Sequence, residues 1–317
     1  MSHIYIYSPS SAVRDKAAFR RGVKRLQQFG HEVEIDEAAL CSHMRFAGDD
    51  ATRLAAIGRA AASGADVALI ARGGYGLTRL LPDLPYKALA KAIDKGTRFV
   101  GLSDFTALQN ALLAKAGAIT WAGPALGEDF GAEAPDDIME ACFDDLVCGQ
   151  GEGAGWQLPK ADLPALVARQ RKATDATPVF RVGHATLWGG NLTVLCSLLG
   201  TPYLPRVKGG VLFLEDVNEH PYRIERQLTQ LLHAGVLAEQ KAVVLGAFNR
   251  FQLTPHDKGF KLQTVVDWLR SRLKTPVLTG LPFGHVPTKV LLPVGQSVEL
   301  VTEGRDALLY WGHQHTH

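Results

Sequence analysis

The strongest chemical feature of the chain is a serine that follows an apolar segment, Phe99-Val100-Gly101-Leu102-Ser103-Asp104-Phe105. A strand that ends in Gly-x-Ser and turns directly into a helix resembles a nucleophile elbow, in which a tight turn lifts the serine hydroxyl clear of the sheet. The free N–H groups of that helix would face the negative charge that develops during attack by Ser103. Phe105 replaces the last glycine of the usual elbow, and the alternative is that Ser103 or Asp104 only caps the helix.

A glycine-rich loop, Arg72-Gly73-Gly74-Tyr75-Gly76, follows the apolar run 67–71. Loops at the carboxyl ends of parallel strands bind ligands in doubly wound sheets, and glycines let the backbone approach a substrate closely. The spacing does not match a dinucleotide-binding loop, and no P-loop lysine follows. A turn that needs positive φ would explain one or two of the glycines without any function. We expect a substrate-facing loop whose N–H groups share an oxyanion with the elbow.

A serine nucleophile needs a base and an acid that orients the base. The second half of the chain offers His285 in a loop framed by glycine and proline (279–287), and Glu215 at the end of the apolar run 211–214. Asp216 and Glu219 remain rivals to Glu215. A solvent-facing acidic pair and a loop histidine that only packs are the structural alternatives. The other interior histidines of this half rank below His285; they are His184, His220, His233 and His256.

The elements that would position these residues alternate regularly in the first half of the chain. Short β-rich runs alternate with amphipathic helical patterns, which is typical of βαβ units around a parallel sheet. We predict strands at 4–8, 33–35, 67–71 and 98–102, and helices at 15–29, 49–63, 86–94 and 104–116. The first half is therefore predicted to be an open, doubly wound α/β domain.

The pattern changes in a glycine-rich and then charged segment at 149–175, which includes Arg169, Gln170, Arg171 and Lys172. We interpret it as an interdomain linker between a domain at 1–148 and a second at 176–317. The second half has predicted strands at 210–214, 242–248, 290–292 and 297–302, and helices at 223–234 and 262–273. This mixture indicates a smaller α+β domain. The histidine-containing tail after Trp311 is interpreted as a frayed terminus.

Composition narrows the class of protein. The chain has 317 residues, with 34 basic and 32 acidic side chains and a net charge of +2. This length suggests about two domains, and a charge this balanced argues against nucleic acid or an anionic membrane as a partner. The four cysteines form no C-x-x-C pair, so we expect reduced thiols and no bound metal or cofactor. The balanced charge therefore predicts small, specific partners. The absence of a signal peptide and of an apolar run of about 20 residues predicts a cytoplasmic protein.

Six motifs, taken in chain order, resemble those of the LD-carboxypeptidases, which are serine peptidases of peptidoglycan recycling also called muramoyltetrapeptide carboxypeptidases. The resemblance runs from Ser8-Pro9-Ser10 to the His285 loop, over nearly the whole chain. The motifs are Ala71-Arg72-Gly73-Gly74-Tyr75-Gly76, Val100-Gly101-Leu102-Ser103-Asp104, Trp121-Ala122-Gly123-Pro124, Trp188-Gly189-Gly190-Asn191-Leu192, Leu212-Phe213-Leu214-Glu215-Asp216 and Gly280-Leu281-Pro282-Phe283-Gly284-His285.

The resemblance implies a catalytic triad of Ser103, Glu215 and His285, with an oxyanion hole formed by the N–H groups of Gly74 and Asp104. It also implies a Rossmann-like first domain, a smaller second domain, a cleft between them and a homodimer. The implied substrate is a muropeptide tetrapeptide that loses its terminal D-alanine. Some members of the family instead cleave peptide–nucleotide antibiotics.

Other assignments remain open. Arg72 and Asn191 are candidates for binding the substrate carboxylate, and Trp188 is a candidate wall for the peptide stem, although each is also explained by a structural role. An α/β-hydrolase esterase would share the order serine, acid, histidine, but Phe105 and a separate acid–base domain argue against it. A two-domain sugar or nucleotide binder could use the same glycine loops without a triad.

Overall fold

The computed structural model describes residues 1–163 and 179–312. The first half forms strands β1 (His3–Tyr7), β2 (Glu32–Ile35), β3 (Val67–Ile70), β4 (Arg98–Gly101) and β5 (Thr120–Ala122). Its helices are α1 (Lys16–Gln28), α2 (Asp50–Ala62), α3 (Tyr86–Asp94), α4 (Thr106–Ala116) and α5 (Asp137–Cys148). The five strands pair in parallel in the order β5-β4-β3-β1-β2. The predicted doubly wound parallel sheet is therefore present.

The second half forms β6 (Gly153–Gln157), β7 (Val179–Asn191), β8 (Val211–Val217), β9 (Ala242–Asn249), β10 (Val277–Thr279), β11 (Leu292–Val294), β12 (Ser297–Glu303) and β13 (Asp306–Tyr310). Its helices are α6 (Leu192–Ser197), α7 (Pro221–His233) and α8 (Leu262–Arg272). The second sheet has the order β10-β9-β8-β7-β12-β13-β6, parallel from β10 to β7 and antiparallel beyond. We call the two sheets with their helices the first and the second lobe.

Two strands depart from the predicted domain organisation. β6 belongs to the predicted linker 149–175, yet it pairs with β13 in the second sheet. In β6, Ala154 and Trp156 are buried and their neighbours are exposed, which is the alternation of a strand. The glycines in this segment made that alternation hard to recognise from the sequence. Residues 153–157 of the predicted linker therefore belong to the second sheet. Its charged part, 169–172, lies outside the described residues. β11, from the second half, pairs antiparallel with β5 at the edge of the first sheet. The predicted division into 1–148 and 176–317 stays a prediction, and β11 is the described strand that crosses it.

Local sequence accounts for most of the first lobe. Asp15 and Asp49 cap α1 and α2 by accepting hydrogen bonds from backbone N–H groups three residues ahead, each at 2.8 Å. β3 is fully buried, as a continuous apolar run in a central parallel strand should be. α4 is buried from Thr106 to Leu112 because it lies between the lobes, in contact with β7 and α6. Within the described residues, no helix is long and apolar enough to cross a membrane.

Candidate active site

Ser103 lies in a tight turn between β4 and α4. Its φ is +65°, a left-handed conformation that non-glycine residues adopt rarely and at a cost in free energy. A Cβ on Gly101 would lie 2.8 Å from the ring of Phe105 and 2.7 Å from Ile70, so glycine is required there. Phe105 is fully buried and fills the space beside Gly101. These contacts explain how the turn forms without the last glycine of the usual elbow.

The carboxylate of Asp104 joins the loops around Ser103. It accepts hydrogen bonds from the Ser10 hydroxyl at 2.7 Å and from the Leu77 N–H at 2.9 Å. The turn at Ser103–Phe105 has no side-chain cap. The alternative in which Ser103 or Asp104 merely caps the helix therefore finds no support. Burial raises the pKa of Asp104, while these donors oppose that shift. From the sequence, Asp104 was expected to act through its N–H or as a helix cap, and the role of its side chain in joining these loops was not foreseen.

The glycine loop packs directly on the serine. A Cβ on Gly73 would lie 2.6 Å from the Cβ of Ser103, and one on Gly74 would lie 2.2 Å from Ser11 Oγ. Gly74 has a φ of +112°, which also favours glycine. The next N–H, that of Tyr75, donates to Ser11 Oγ at 3.0 Å. In the described part of the chain, no hydrogen bond uses the N–H of Gly74. This loop therefore has the position expected of an oxyanion-binding element.

His285 and Glu215 form a buried pair in the second lobe. The Nδ1 of His285 lies 2.8 Å from Oε2 of Glu215, whose side chain is 1% exposed. Burial alone would lower the pKa of His285, but the hydrogen bond and the negative charge of Glu215 outweigh burial and raise that pKa. A Cβ on Gly284 would lie 3.0 Å from the same carboxylate oxygen, so glycine allows the His285 loop to approach. This pair has the arrangement of a base and its orienting acid.

The rival acids are engaged elsewhere. Asp216 accepts hydrogen bonds from the Thr193 N–H at 2.9 Å and the Thr193 hydroxyl at 2.7 Å, and burial raises its pKa. Glu219 lies 3.7 Å from Arg223, an exposed residue on α7. Among the described hydrogen bonds to His285, the carboxylate comes from Glu215 alone.

Two of the predicted substrate-binding residues have structural roles instead. Trp188 is 1% exposed, and its Nε1 donates to Gln240 at 3.0 Å, so it packs in the core of the second lobe and is not a wall of the site. The amide of Asn191 donates to Glu215 at 3.1 Å and to Asp216 at 3.0 Å, while its oxygen caps α6. The side chain of Asn191 therefore holds the acid in place and has no free group for a carboxylate.

Arg72 keeps an exposed fraction of 19% beside the glycine loop. Its guanidinium donates to the Ala12 carbonyl at 3.2 Å and lies 3.9 Å from Glu128. Burial lowers the pKa of Arg72. Of the three predicted substrate-binding residues, Arg72 is the one that stays partly accessible. Glu128, which the sequence analysis missed, lies in the helical turn Leu126–Phe130 and gave no local signal.

The two lobes meet beside the serine. The N–H of Asn191 donates to Thr106 Oγ1 at 3.0 Å, and Thr106 begins the helix that follows Ser103. The Asn110 amide on the same helix donates to the Gly189 carbonyl at 2.8 Å. A continuous set of contacts thus runs from the helix after Ser103 through Asn191 to Glu215 and His285. Within the described residues, Ser103 and His285 are not hydrogen-bonded to each other.

Comparison with known proteins gives the family. A family model described as the LD-carboxypeptidase N-terminal domain matches residues 4–123, and one described as the C-terminal domain matches residues 184–300. The crystal structure of muramoyltetrapeptide carboxypeptidase from Oxalobacter formigenes is similar with a TM-score of 0.84 and 38% identity, covering 98% of this chain and 99% of that one. The chain belongs to the LD-carboxypeptidase family. The resemblance inferred from the motifs is thereby confirmed, as is the mixed α/β fold with two sheets.

Two curated relatives show the range of this carboxypeptidase family. The Bacillus subtilis protein named "Probable murein peptide carboxypeptidase" is 27% identical over 288 residues, covering 90% of this chain and 85% of its own length. The Escherichia coli Microcin C7 self-immunity protein MccF is 28% identical over 236 residues, covering 70% of this chain and 67% of its own. The LD-carboxypeptidase fold is therefore shared by proteins with different names and roles.

Proposed function

We propose that this family member is a serine-type LD-carboxypeptidase. It hydrolyses the bond between the L-centre of a diamino acid, diaminopimelate or lysine, and the terminal D-alanine of a muropeptide tetrapeptide. It acts in the cytoplasm, in peptidoglycan recycling, as a homodimer. The single observation that carries the proposal is the Glu215–His285 hydrogen bond in the second lobe. That lobe also contacts the helix that follows Ser103, the serine held in a left-handed turn.

The mechanism follows from the chemistry of these groups. His285 takes the proton of the Ser103 hydroxyl as the oxygen attacks the carbonyl carbon of the scissile bond. Glu215 accepts the hydrogen bond of His285 Nδ1 and stabilises the imidazolium that forms. The N–H groups of Gly74 and Asp104 stabilise the tetrahedral oxyanion, and losing one such donor typically costs about 2.7–4 kcal/mol in the barrier. His285 then protonates the leaving amine of D-alanine.

Water completes the reaction. It attacks the acyl-enzyme with His285 again acting as base, which releases the shortened peptide and regenerates the Ser103 hydroxyl. Within the described ranges, Ser103 and His285 are not hydrogen-bonded to each other. This is consistent with the scheme, because catalytic hydrogen bonds often tighten only when substrate binds. Arg72 is assigned to the free carboxylate of D-alanine because it borders the glycine loop and remains partly exposed.

The experiment that tests the proposal is mass spectrometry of a muropeptide mixture incubated with the purified protein. The expected result is the loss of one alanine from tetrapeptides and not from pentapeptides. Ser103→Ala should abolish this loss, whereas Ser271→Ala, which removes an exposed hydroxyl on α8, should not. A folded wild-type protein that leaves tetrapeptides intact would contradict the proposal.

A second candidate function is hydrolysis of peptide–nucleotide antibiotics, favoured by the similarity to the self-immunity protein MccF. It predicts that an aminoacyl sulfamoyl nucleoside disappears while tetrapeptides persist. An esterase of the α/β-hydrolase type predicts turnover of simple acyl esters alone. Offering the three substrates to the same preparation separates the three activities.

A further inference from the structure

A buried ion pair next to the base takes no part in the mechanism above. Lys289 Nζ pairs with the carboxylate of Asp129, and the two residues are 3% and 6% exposed. Asp129 lies in the helical turn Leu126–Phe130 of the first lobe, where its second oxygen accepts the Ala125 N–H at 2.8 Å. Lys289 lies four positions after His285. The pair therefore joins the segment that carries the base to the lobe that carries Ser103.

The segment that contains His285 crosses from one lobe to the other. It leaves β10 in the second sheet and ends in β11 at the edge of the first sheet. The Val290 N–H donates to the Pro282 carbonyl at 2.8 Å, which closes a loop with His285 inside it. Thr288 donates to Asp136 of the first lobe at 2.6 Å. We call residues 282–290 the base loop. The base loop is bound to Glu215 on one side and to the first lobe on the other.

We propose that Asp129 and Lys289 are positioning residues, which fix the base loop to the first lobe so that His285 meets Ser103. Removing two charges from water is expensive, and a buried ion pair can often be replaced by apolar side chains with no loss of stability. Stability therefore gives little reason to place a lysine here. The need to hold His285 in register with a serine on the other lobe does give such a reason, because a displacement on the order of 1 Å can reduce the rate about a hundredfold. The inference rests on the proposed serine mechanism.

The pair also affects the charge around His285. The charged groups that face this imidazole are Glu215 on β8, Glu128 in the turn Leu126–Phe130 and Lys289 on the base loop itself. The two glutamates raise the pKa of His285, and Lys289 lowers it. Removing Lys289 should therefore raise this pKa. Removing Asp129, which leaves Lys289 with an uncompensated positive charge, should lower it.

The test uses the full-length protein and the variants Lys289→Met, Asp129→Asn, their combination, and Lys208→Met. Lys208 serves as the matched control because its ion pair with Glu239 is exposed at the surface. The first readout is the rate at which a fluorophosphonate labels Ser103 as a function of pH, which needs no peptide substrate. The second is kcat and KM for D-alanine release, and the third is the NMR titration of the His285 imidazole.

Lys289→Met should label about a hundredfold more slowly than wild type, with kcat reduced and KM unchanged. The acid limb of its pH profile of labelling should move to higher pH. In Asp129→Asn the acid limb of the same profile should move to lower pH. The double variant should recover the wild-type acid limb and keep the low rate, and Lys208→Met should behave as wild type. If a single variant does not fold, the double variant decides, because it leaves no buried charge unpaired.

The inference is overturned if the folded double variant labels at the wild-type rate. It is also overturned if the single variants lose activity only in proportion to their unfolded fraction, with both acid limbs unmoved. Failure of the proposed function is a different result: a wild-type protein that is labelled at Ser103 but releases no D-alanine. If Ser103 of the wild-type protein is not labelled at all, the proposed function fails. Unshifted His285 titrations in both single variants would then overturn the inference as well.

Discussion

The two sides of the candidate site are built in different ways. Ser103 is positioned by the backbone: its own left-handed φ, and the glycines at 73, 74 and 101, which leave no room for a Cβ. His285 and Glu215 are positioned by side-chain hydrogen bonds, with Asn191 and Asn249 as supports. We therefore expect activity to fall when atoms are added on the serine side. On the base side, we expect it to fall when hydrogen bonds are removed and to depend on pH.

The largest expected effect is that of Ser103→Ala. Removing a serine nucleophile costs about 10⁶-fold in kcat where it has been measured in a triad. We expect D-alanine release to fall by at least that order, measured by mass spectrometry over long incubations. The fold should be unchanged, because the Ser103 hydroxyl makes no hydrogen bond in the described part of the chain.

Replacing the same residue by glycine separates function from conformation. Since Ser103 has a φ of +65°, Ser103→Gly should be inactive yet more stable by about 1 kcal/mol, the usual cost of a left-handed residue. Thermal unfolding measures this difference. A glycine variant that is less stable than Ser103→Ala would show that the turn stores no strain.

The next largest effect is expected for Glu215→Gln. An amide in place of the orienting carboxylate lowers kcat about 10⁴-fold in a comparable triad. Because Glu215 raises the pKa of His285 and burial lowers it, this substitution should lower the pKa. His285 must be neutral to act as a base, so the acid limb of the residual kcat/KM profile should move to lower pH.

The matched control for Glu215 is Glu219→Gln, which replaces the carboxylate that lies near Arg223. It should leave both the rate and the acid limb close to wild type. If Glu219→Gln moves the acid limb and Glu215→Gln does not, the acid has been assigned to the wrong carboxylate.

Gly74→Ala tests the backbone-defined side without touching a catalytic side chain. The added Cβ would lie 2.2 Å from Ser11 Oγ, so the loop must shift away from Ser103. We expect kcat to fall about 10²–10³-fold, the effect of losing one oxyanion donor.

Gly96→Ala is the matched control, because Gly96 has a similar φ of +105° and a Cβ there meets nothing within 4 Å. It should lose stability and keep kcat. Equal kcat in both variants would remove Gly74 from the oxyanion hole.

The contrast also explains which parts of the site were predictable. The turn at Ser103 and the glycine loop are local, so their residue types and spacing are visible in a short stretch of sequence. The Glu215–His285 pair joins positions 70 apart, and from the residues alone Asp216 and Glu219 remained rivals until family resemblance ranked them. Asp129 and Lys289 are 160 apart and carry no local signal.

For Trp188 and Asn191, the sequence could not separate a substrate-binding role from a structural one, for a related reason. Both belong to β7, and sequence does not reveal which face of an irregular, glycine-containing strand is turned inward. Gly189 and Gly190 have φ values of +130° and +124°, which interrupts the alternation of side chains. As a result Trp188 points into the core, and Asn191 points at Glu215.

The smallest effect that should still be measurable is that of Asn249→Ala on the base side. The Asn249 amide donates to the His285 carbonyl at 2.9 Å and so restrains the base loop without contacting substrate. One hydrogen bond contributes a net free energy of about 1 kcal/mol, and losing that amount from the barrier corresponds to less than a tenfold loss in kcat. Trp188→Phe is the comparison, since it also removes one hydrogen bond of the second lobe, but in the core. It should reduce the free energy of unfolding with kcat unchanged. If both variants lower kcat equally, the base side responds to the stability of the whole lobe and not to the placement of His285.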